Sequence, residues 1–168
     1  MLGVLMAMAY KVPSNPHGAW ETTVIDNRMH KTHNLEVATN LPKSKGQDTL
    51  IIAGVEGVFI YRPENGSLNR RQVIVNEEGA SDFVGAGEVR SGNLPGGGMF
   101  ITTAEPMHGN QLVSYTPPAR NSGKRLGIRN VLFDEMVEGH ALSFGDLLGI
   151  GSDQVVICGQ LWLFCPPS

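Results

Sequence analysis

Three histidines far apart in the chain carry the chemistry this sequence offers. His33 stands in MHKTHNL, His108 in EPMHG and His140 in EGHAL. Neutral imidazole suits Zn²⁺, and a catalytic zinc site commonly takes three protein ligands, leaving one position for water or substrate. No spacing here is of the short HxxxH kind, so a shared ion would require distant elements to converge. The alternative is that each ring merely hydrogen-bonds a strand end or a turn. Glu105, three residues before His108, could serve as a ligand, as a group orienting an imidazole, or with His108 as a catalytic acid–base pair. It could equally be a strand-end carboxylate accepting backbone N–H bonds. Glu88, in GAGEV, is a candidate to face the same space. His30 shares the first phrase, while His17, in SNPHG, is expected to be a turn residue only.

What would bring these side chains together is a repeat. Asn40-Leu41, Asn93-Leu94 and Asp146-Leu147 recur at a constant interval of 53 residues, each followed by a Gly-rich turn and a further β-like run. A fixed period of this size marks a repeat architecture. The first unit parses into four strands: His33 to Leu41, Thr49 to Ala53, Val58 to Arg62 and Arg71 to Glu77, with PENG as a strong turn signal before the last. The second runs from Gly87 to Leu94 and continues through MFITTAE, QLVSYTP and RLGIRNVLFDE. The third begins with GHALSFGDL and QVVICG, and AWETTVID precedes the first as a fourth-strand run. Short strands between turn signals, with no helical periodicity, predict an all-β fold. Four strands per repeat predict β-propeller blades rather than a β-sandwich, which needs no such register.

The predicted organisation is an irregular segment over residues 1–18, a partial propeller over 19–160 (units 19–77, 78–135 and 136–160), and an aberrant tail over 161–168. About three blades are too few to close a ring, so either several chains complete one another or, as is expected here, the chain is a fragment of a longer propeller. His33 and His140 begin the innermost strands of their units, where they would line the central channel. His33 lies seven residues before Asn40, whereas His140 lies six before Asp146. An odd offset reverses the face along a regular strand, so a bulge or a loop must absorb it if both rings are ligands.

The phrases MHKTHNL, GAGEV, EPMHGNQLVSYTP and EGHALSFGDLLG together resemble the propeller domain of the aldos-2-ulose dehydratase/isomerase family, and more broadly FG-GAP/VCBS-type repeats. The resemblance spans about Trp20 to Gly159. It implies a seven-bladed propeller within a larger enzyme, with a zinc ion at the bottom of a cleft. That ion would be needed to dehydrate sugar-derived ketones such as 1,5-anhydrofructose and glucosone. The isomerase step, associated with a separate cupin zinc site, does not carry over.

Composition narrows the field further. Charged residues make up 17%, the net charge is −3, and no Lys/Arg run is long enough to expect nucleic acid or an anionic membrane as partner. Arg70-Arg71 and Lys124-Arg125 are expected to be solvated strand ends. MLGVLMAMAY is too short to span a bilayer and lacks a basic flank, so neither a signal peptide nor a transmembrane segment is expected and the cytoplasm is favoured. Cys158 and Cys165 are expected to be ordinary reduced thiols. The loops NLPKSKGQD, NLPGGG and DLLGIGSD carry too few acidic oxygens for calcium, and their Asn or Asp suits Asx-type turns. Leu50, Ile51, Ile52, Val58, Phe59, Val113, Val155, Val156 and Ile157 are expected to pack between blades, as are Tyr61 and Tyr115, which correspond across units and have sugar stacking as their alternative role.

The leading expectation is a fragment of a zinc-dependent carbohydrate lyase. His33, His108 and His140 would hold the metal, and Glu105 and His108 would be the catalytic residues. Its partners would be a small sugar ketone and the missing blades or further domains of a longer chain. A non-catalytic FG-GAP-type propeller binding protein or glycan is the rival, and it predicts scattered imidazoles. A truncated product with neither role is the third reading.

Overall fold

The computed structural model describes residues 5–39, 46–75, 85–95, 98–116 and 128–160, with 71–75 described as backbone only. Every element among the described residues is a strand. β1 (Leu5–Lys11) pairs with β2 (Glu21–Met29) in a two-stranded antiparallel sheet. β3 (Thr32–Ala38), β4 (Thr49–Gly54), β5 (Gly57–Glu64) and β6 (Ser67–Val75) form a four-stranded sheet in chain order. β7 (Glu88–Asn93), β8 (Met99–Glu105), β9 (Gln111–Thr116) and β10 (Ile128–Phe133) repeat it, and β11 (Val137–Gly145) pairs with β12 (Gln154–Gln160). Among the described residues, two complete blades are thus flanked by two half-blades: an outer pair before them and an inner pair after them. The all-β propeller expectation holds.

Local chemistry explains the strand boundaries. β5 and β6 are joined by Asn65 (φ 51°) and Gly66 (φ 79°), with Glu64 opposite Ser67. Two consecutive positive-φ residues make the hairpin turn whose twist suits paired strands, which is why PENG is effective there. Within the first complete blade the alternation of side chains feeds two cores. Ile51, Ala53, Val58 and Ile60 pack toward Ala86, Val89, Ile101 and Val113 of the second blade. Ile52, Phe59 and Tyr61 turn the other way, onto Met29 with Ala7 and Ile25 of the first half-blade. Both faces are covered, so these strands are apolar without interruption.

Three expectations change. Residues 1–18 are not irregular throughout, because Leu5–Lys11 is a strand whose register against β2 fixes AWETTVID to it rather than to the blade that follows. Val156 is 39% exposed, and Val155 and Ile157 are only half-buried, since β11–β12 is a two-stranded sheet among the described residues. Arg70 is not solvated: its guanidinium lies 3.7 Å over the Phe59 ring and reaches the buried Asp26 carboxylate at 2.9 Å. The side chain of Arg71, residues 124–125, Cys165 and the tail 161–168 lie outside the described residues, as do Asn40 and Leu41. Cys158 is an exposed free thiol.

Arg70 belongs to a polar device that appears in both complete blades. Tyr61, opposite Arg70 on the neighbouring strand, donates its hydroxyl to Asp26 Oδ2 at 2.8 Å. Tyr115, opposite Arg129, donates to Glu105 Oε1 at 2.6 Å, and Arg129 Nη2 donates to Glu105 Oε2 at 2.9 Å. The two tyrosines therefore do more than fill space, and they are buried away from any stacking ligand. Burial alone would raise the Asp26 pKa. Hydrogen bonds from the Arg28 side chain and backbone and from Tyr61, with the charge of Arg70, outweigh it and hold the carboxyl at about 2, against an ordinary 3.8. A lowered folded-state pKa stabilises above the unfolded value, and that contribution is lost as pH falls through the folded one. The melting temperature should therefore drop between about pH 4 and pH 2, and Asp26→Asn should flatten that part of the profile. An unchanged acid limb in the variant would count against the device.

Candidate metal centre

The three histidines of the sequence converge. One potential ligand nitrogen from each of His33, His108 and His140 lies within 4.8 Å of the other two. The rings of His33 and His108 are 4.3 Å apart, those of His108 and His140 4.4 Å, and those of His33 and His140 5.4 Å. His108 Nδ1 and His140 Nε2 approach to 2.7 Å. Each residue comes from a different sheet.

Bulges aim the two strand-borne rings. On β3 the pairing passes from Thr32↔Gly54 to Leu35↔Ile52, which inserts an extra residue beside His33. On β11 it passes from Val137↔Gln160 to His140↔Cys158 and then to Ser143↔Val156, an insertion on each side of His140. Glu138 (φ 49°) and Ala141 (φ 52°) take up the left-handed backbone this requires. A bulge bends a strand and re-aims its side chains, and here it absorbs the odd offset that a regular strand would not tolerate.

The middle blade solves the problem differently. At the start of its innermost strand it has Gly87, and a Cβ there would sit 3.1 Å from both His108 N and Met107 Cα. The missing side chain makes room for the β8–β9 turn, which presents His108 at φ 56°. Gly109 is required next to it, because a Cβ would fall 2.1 Å from the Glu105 carbonyl oxygen. The turn is then tied to β11 and to the residues just before it: Gly139 N donates to Gly109 O at 3.0 Å, Met136 N donates to Asn110 O at 3.2 Å, and Asn110 Nδ2 donates to Asp134 O at 2.8 Å. The segment that carries His108 and the one that carries His140 are thus held together by backbone.

Glu105 lies elsewhere in its chemistry. It is 1% exposed, and both oxygens are committed: Oε1 accepts from Thr103 Oγ1 (2.6 Å) and Tyr115, Oε2 from Arg129. Its acceptor capacity goes to side chains rather than to strand-end N–H groups or to the imidazoles. Glu88 does face the cluster, with Oε1 3.4 Å from His33 Nδ1. His30 pairs instead with Glu56 at 2.7 Å, and His17 N donates to Asn15 Oδ1 in the expected turn. Asp146 likewise accepts from Ile150 N and Gly151 N at 2.9 Å, the Asx-type geometry expected at the repeat phrase. No helix among the described residues is long and apolar enough to cross a membrane.

The donor set fits zinc. In a tetrahedral ion with Zn–N near 2.0–2.1 Å, ligand nitrogens stand ~3.3 Å apart. The His108–His140 contact of 2.7 Å is shorter than that value, and one nitrogen of each ring lies within 4.8 Å of the others. The rings are exposed or half-buried, which leaves a side open to a further ligand.

Four-stranded blades in sequence, with imidazoles meeting where the innermost strands approach, define a β-propeller carrying a candidate metal centre. More narrowly, the chain belongs to the aldos-2-ulose dehydratase β-propeller domain family, whose model matches residues 3–118. That segment includes His33, Glu88 and His108, whereas His140 lies beyond it. No curated protein matches the chain significantly.

Proposed function

We propose that this chain is the zinc-binding propeller part of a carbohydrate lyase, one that removes water from a sugar-derived ketone of the aldos-2-ulose or anhydrofructose type. The observation that carries the reading is the meeting of three imidazoles, from three sheets, within 4.8 Å in a dehydratase propeller. Zinc bound by His33, His108 and His140 would supply Lewis acidity toward the ketone oxygen. The chain's own residues bind and orient. The β3 and β11 bulges aim two rings, and the tethered β8–β9 turn presents the third. Glu105, at the end of β8, is bound to Tyr115 on β9 and Arg129 on β10.

The rival reading, a protein- or glycan-binding propeller, predicts scattered imidazoles, and their convergence favours the lyase. The two complete and two half blades among the described residues are fewer than the about four to eight of a closed propeller, so we propose that the chain acts within a longer enzyme and expect no turnover from it alone. The test is metal analysis of the chain purified without chelators, followed by an assay of the longer parent on 1,5-anhydrofructose, tracking the conjugated product by absorbance. One zinc per chain and dehydration that a chelator abolishes are expected. A metal-free chain, or chelator-resistant turnover, overturns the proposal.

A further inference from the structure

Asp26, Glu88 and Glu105 are the buried carboxylic residues among the described ones. Asp26 is held by Arg28 and Arg70, and Glu105 by Arg129. Glu88, 2% exposed on β7, has no guanidinium on it among the described residues. Arg90, two residues along, directs its Nη1 to the Val89 carbonyl at 2.6 Å and to Asn34 Oδ1 at 3.4 Å instead. The Glu88 carboxylate crosses the seam to the preceding blade. There Oε2 accepts from Asn34 Nδ2, and Oε1 faces His33 Nδ1 at 3.4 Å. A buried carboxylate is costly unless it is paired, and stability alone would favour an arginine there, as at the other two sites.

We infer that Glu88 is a positioning residue for the metal centre: it fixes the His33 tautomer with the proton on Nδ1, turns the Nε2 lone pair toward His108 and His140, and supplies negative charge behind a cationic ion. The inference rests on the zinc reading above and deepens it. A carboxylate behind a ligating imidazole fixes ring orientation and raises its basicity, and loss of such a partner costs about 10- to 100-fold in metal affinity. The arrangement also explains why the middle blade contributes to the first blade's ligand without placing a histidine at the start of its own innermost strand. Asn34, next to His33 in the same bulge, serves Glu88 by engaging its second oxygen.

The test compares the full chain with its Glu88→Gln and Glu88→Asp variants, and with Glu36→Gln as a control. Glu36 is a half-buried carboxylate in the same seam that accepts from Ser91 N at 2.7 Å. Zinc affinity is read by chelator competition, cobalt(II) coordination by visible absorption, and the His33 tautomer by long-range ¹H–¹⁵N correlation without metal. Glu88→Gln should weaken zinc about 10- to 100-fold, alter the cobalt band and move the His33 proton toward Nε2. Glu88→Asp should recover part of each, and Glu36→Gln should change none. If the wild-type chain binds zinc and Glu88→Gln matches it in affinity and tautomer, the inference falls while the zinc reading stands. If the wild-type chain binds no metal, the zinc reading falls, and an unchanged His33 tautomer in Glu88→Gln would remove the positioning role as well.

Discussion

Replacing His108 by glycine should lower zinc affinity by more than 100-fold, the largest functional effect expected of a single change in this chain. Loss of a partner behind a ligand already costs about 10- to 100-fold, and loss of the ligand itself must exceed that. His108 stands between the other two rings, at 4.3 and 4.4 Å, whereas those two are 5.4 Å apart. Without it, two imidazoles 5.4 Å apart remain to hold the ion. Glycine is the right replacement because His108 sits at φ 56°, where alanine would add backbone strain and confuse folding with binding. His30→Ala serves as the control, since His30 pairs with Glu56 outside the cluster. Isothermal titration with zinc would decide the matter, and equal affinity in His108→Gly and wild type would end the three-histidine assignment.

Arg129→Met should cost about 3–5 kcal/mol of stability, the range found when one partner of a buried ion pair is removed. The reason is what it leaves behind: a Glu105 carboxylate 1% exposed, with only the Thr103 and Tyr115 hydroxyls to stabilise its charge. Arg70→Met should cost less, because Asp26 keeps Arg28, whose side chain donates to it at 2.9 Å. Adding Glu105→Gln to Arg129→Met should restore part of the loss by removing the stranded charge. Urea unfolding of the three variants would measure this ordering. Equal costs at Arg70 and Arg129 would show that the two blades do not depend on these networks in the way their partners suggest.

The blades were legible because alternating apolar runs and turn residues are local signals: TLIIA, VFIYR and PENG name their own conformations. The histidines were legible as candidates by type and phrase, and the odd offset between His33 and His140 correctly demanded a bulge. Which bulge, and on which side of each ring, depends on cross-strand register that no single segment encodes. The acid–tyrosine–arginine devices were invisible for the same reason. Tyr61 meets Arg70 across a hairpin and Asp26 from another sheet, so Arg70 looked like a solvated strand end and Glu105 like a base. Leu5–Lys11 was missed because its apolar run barely alternates, and PSNPHG looked like a break rather than a hairpin link between β1 and β2. The one hint available was that Asp26 and Arg129 are charges set inside otherwise strand-like runs.

The origin of the three clustered imidazoles on three successive sheets has a mechanical consequence. An ion held by His33 and His140 would close a loop of roughly a hundred residues, and cross-links that span long loops restrict the unfolded chain most. For a disulfide the same span is worth about 4–5 kcal/mol in chain entropy. The metal would then act as a topological clip, and its escape would measure how often neighbouring blades part.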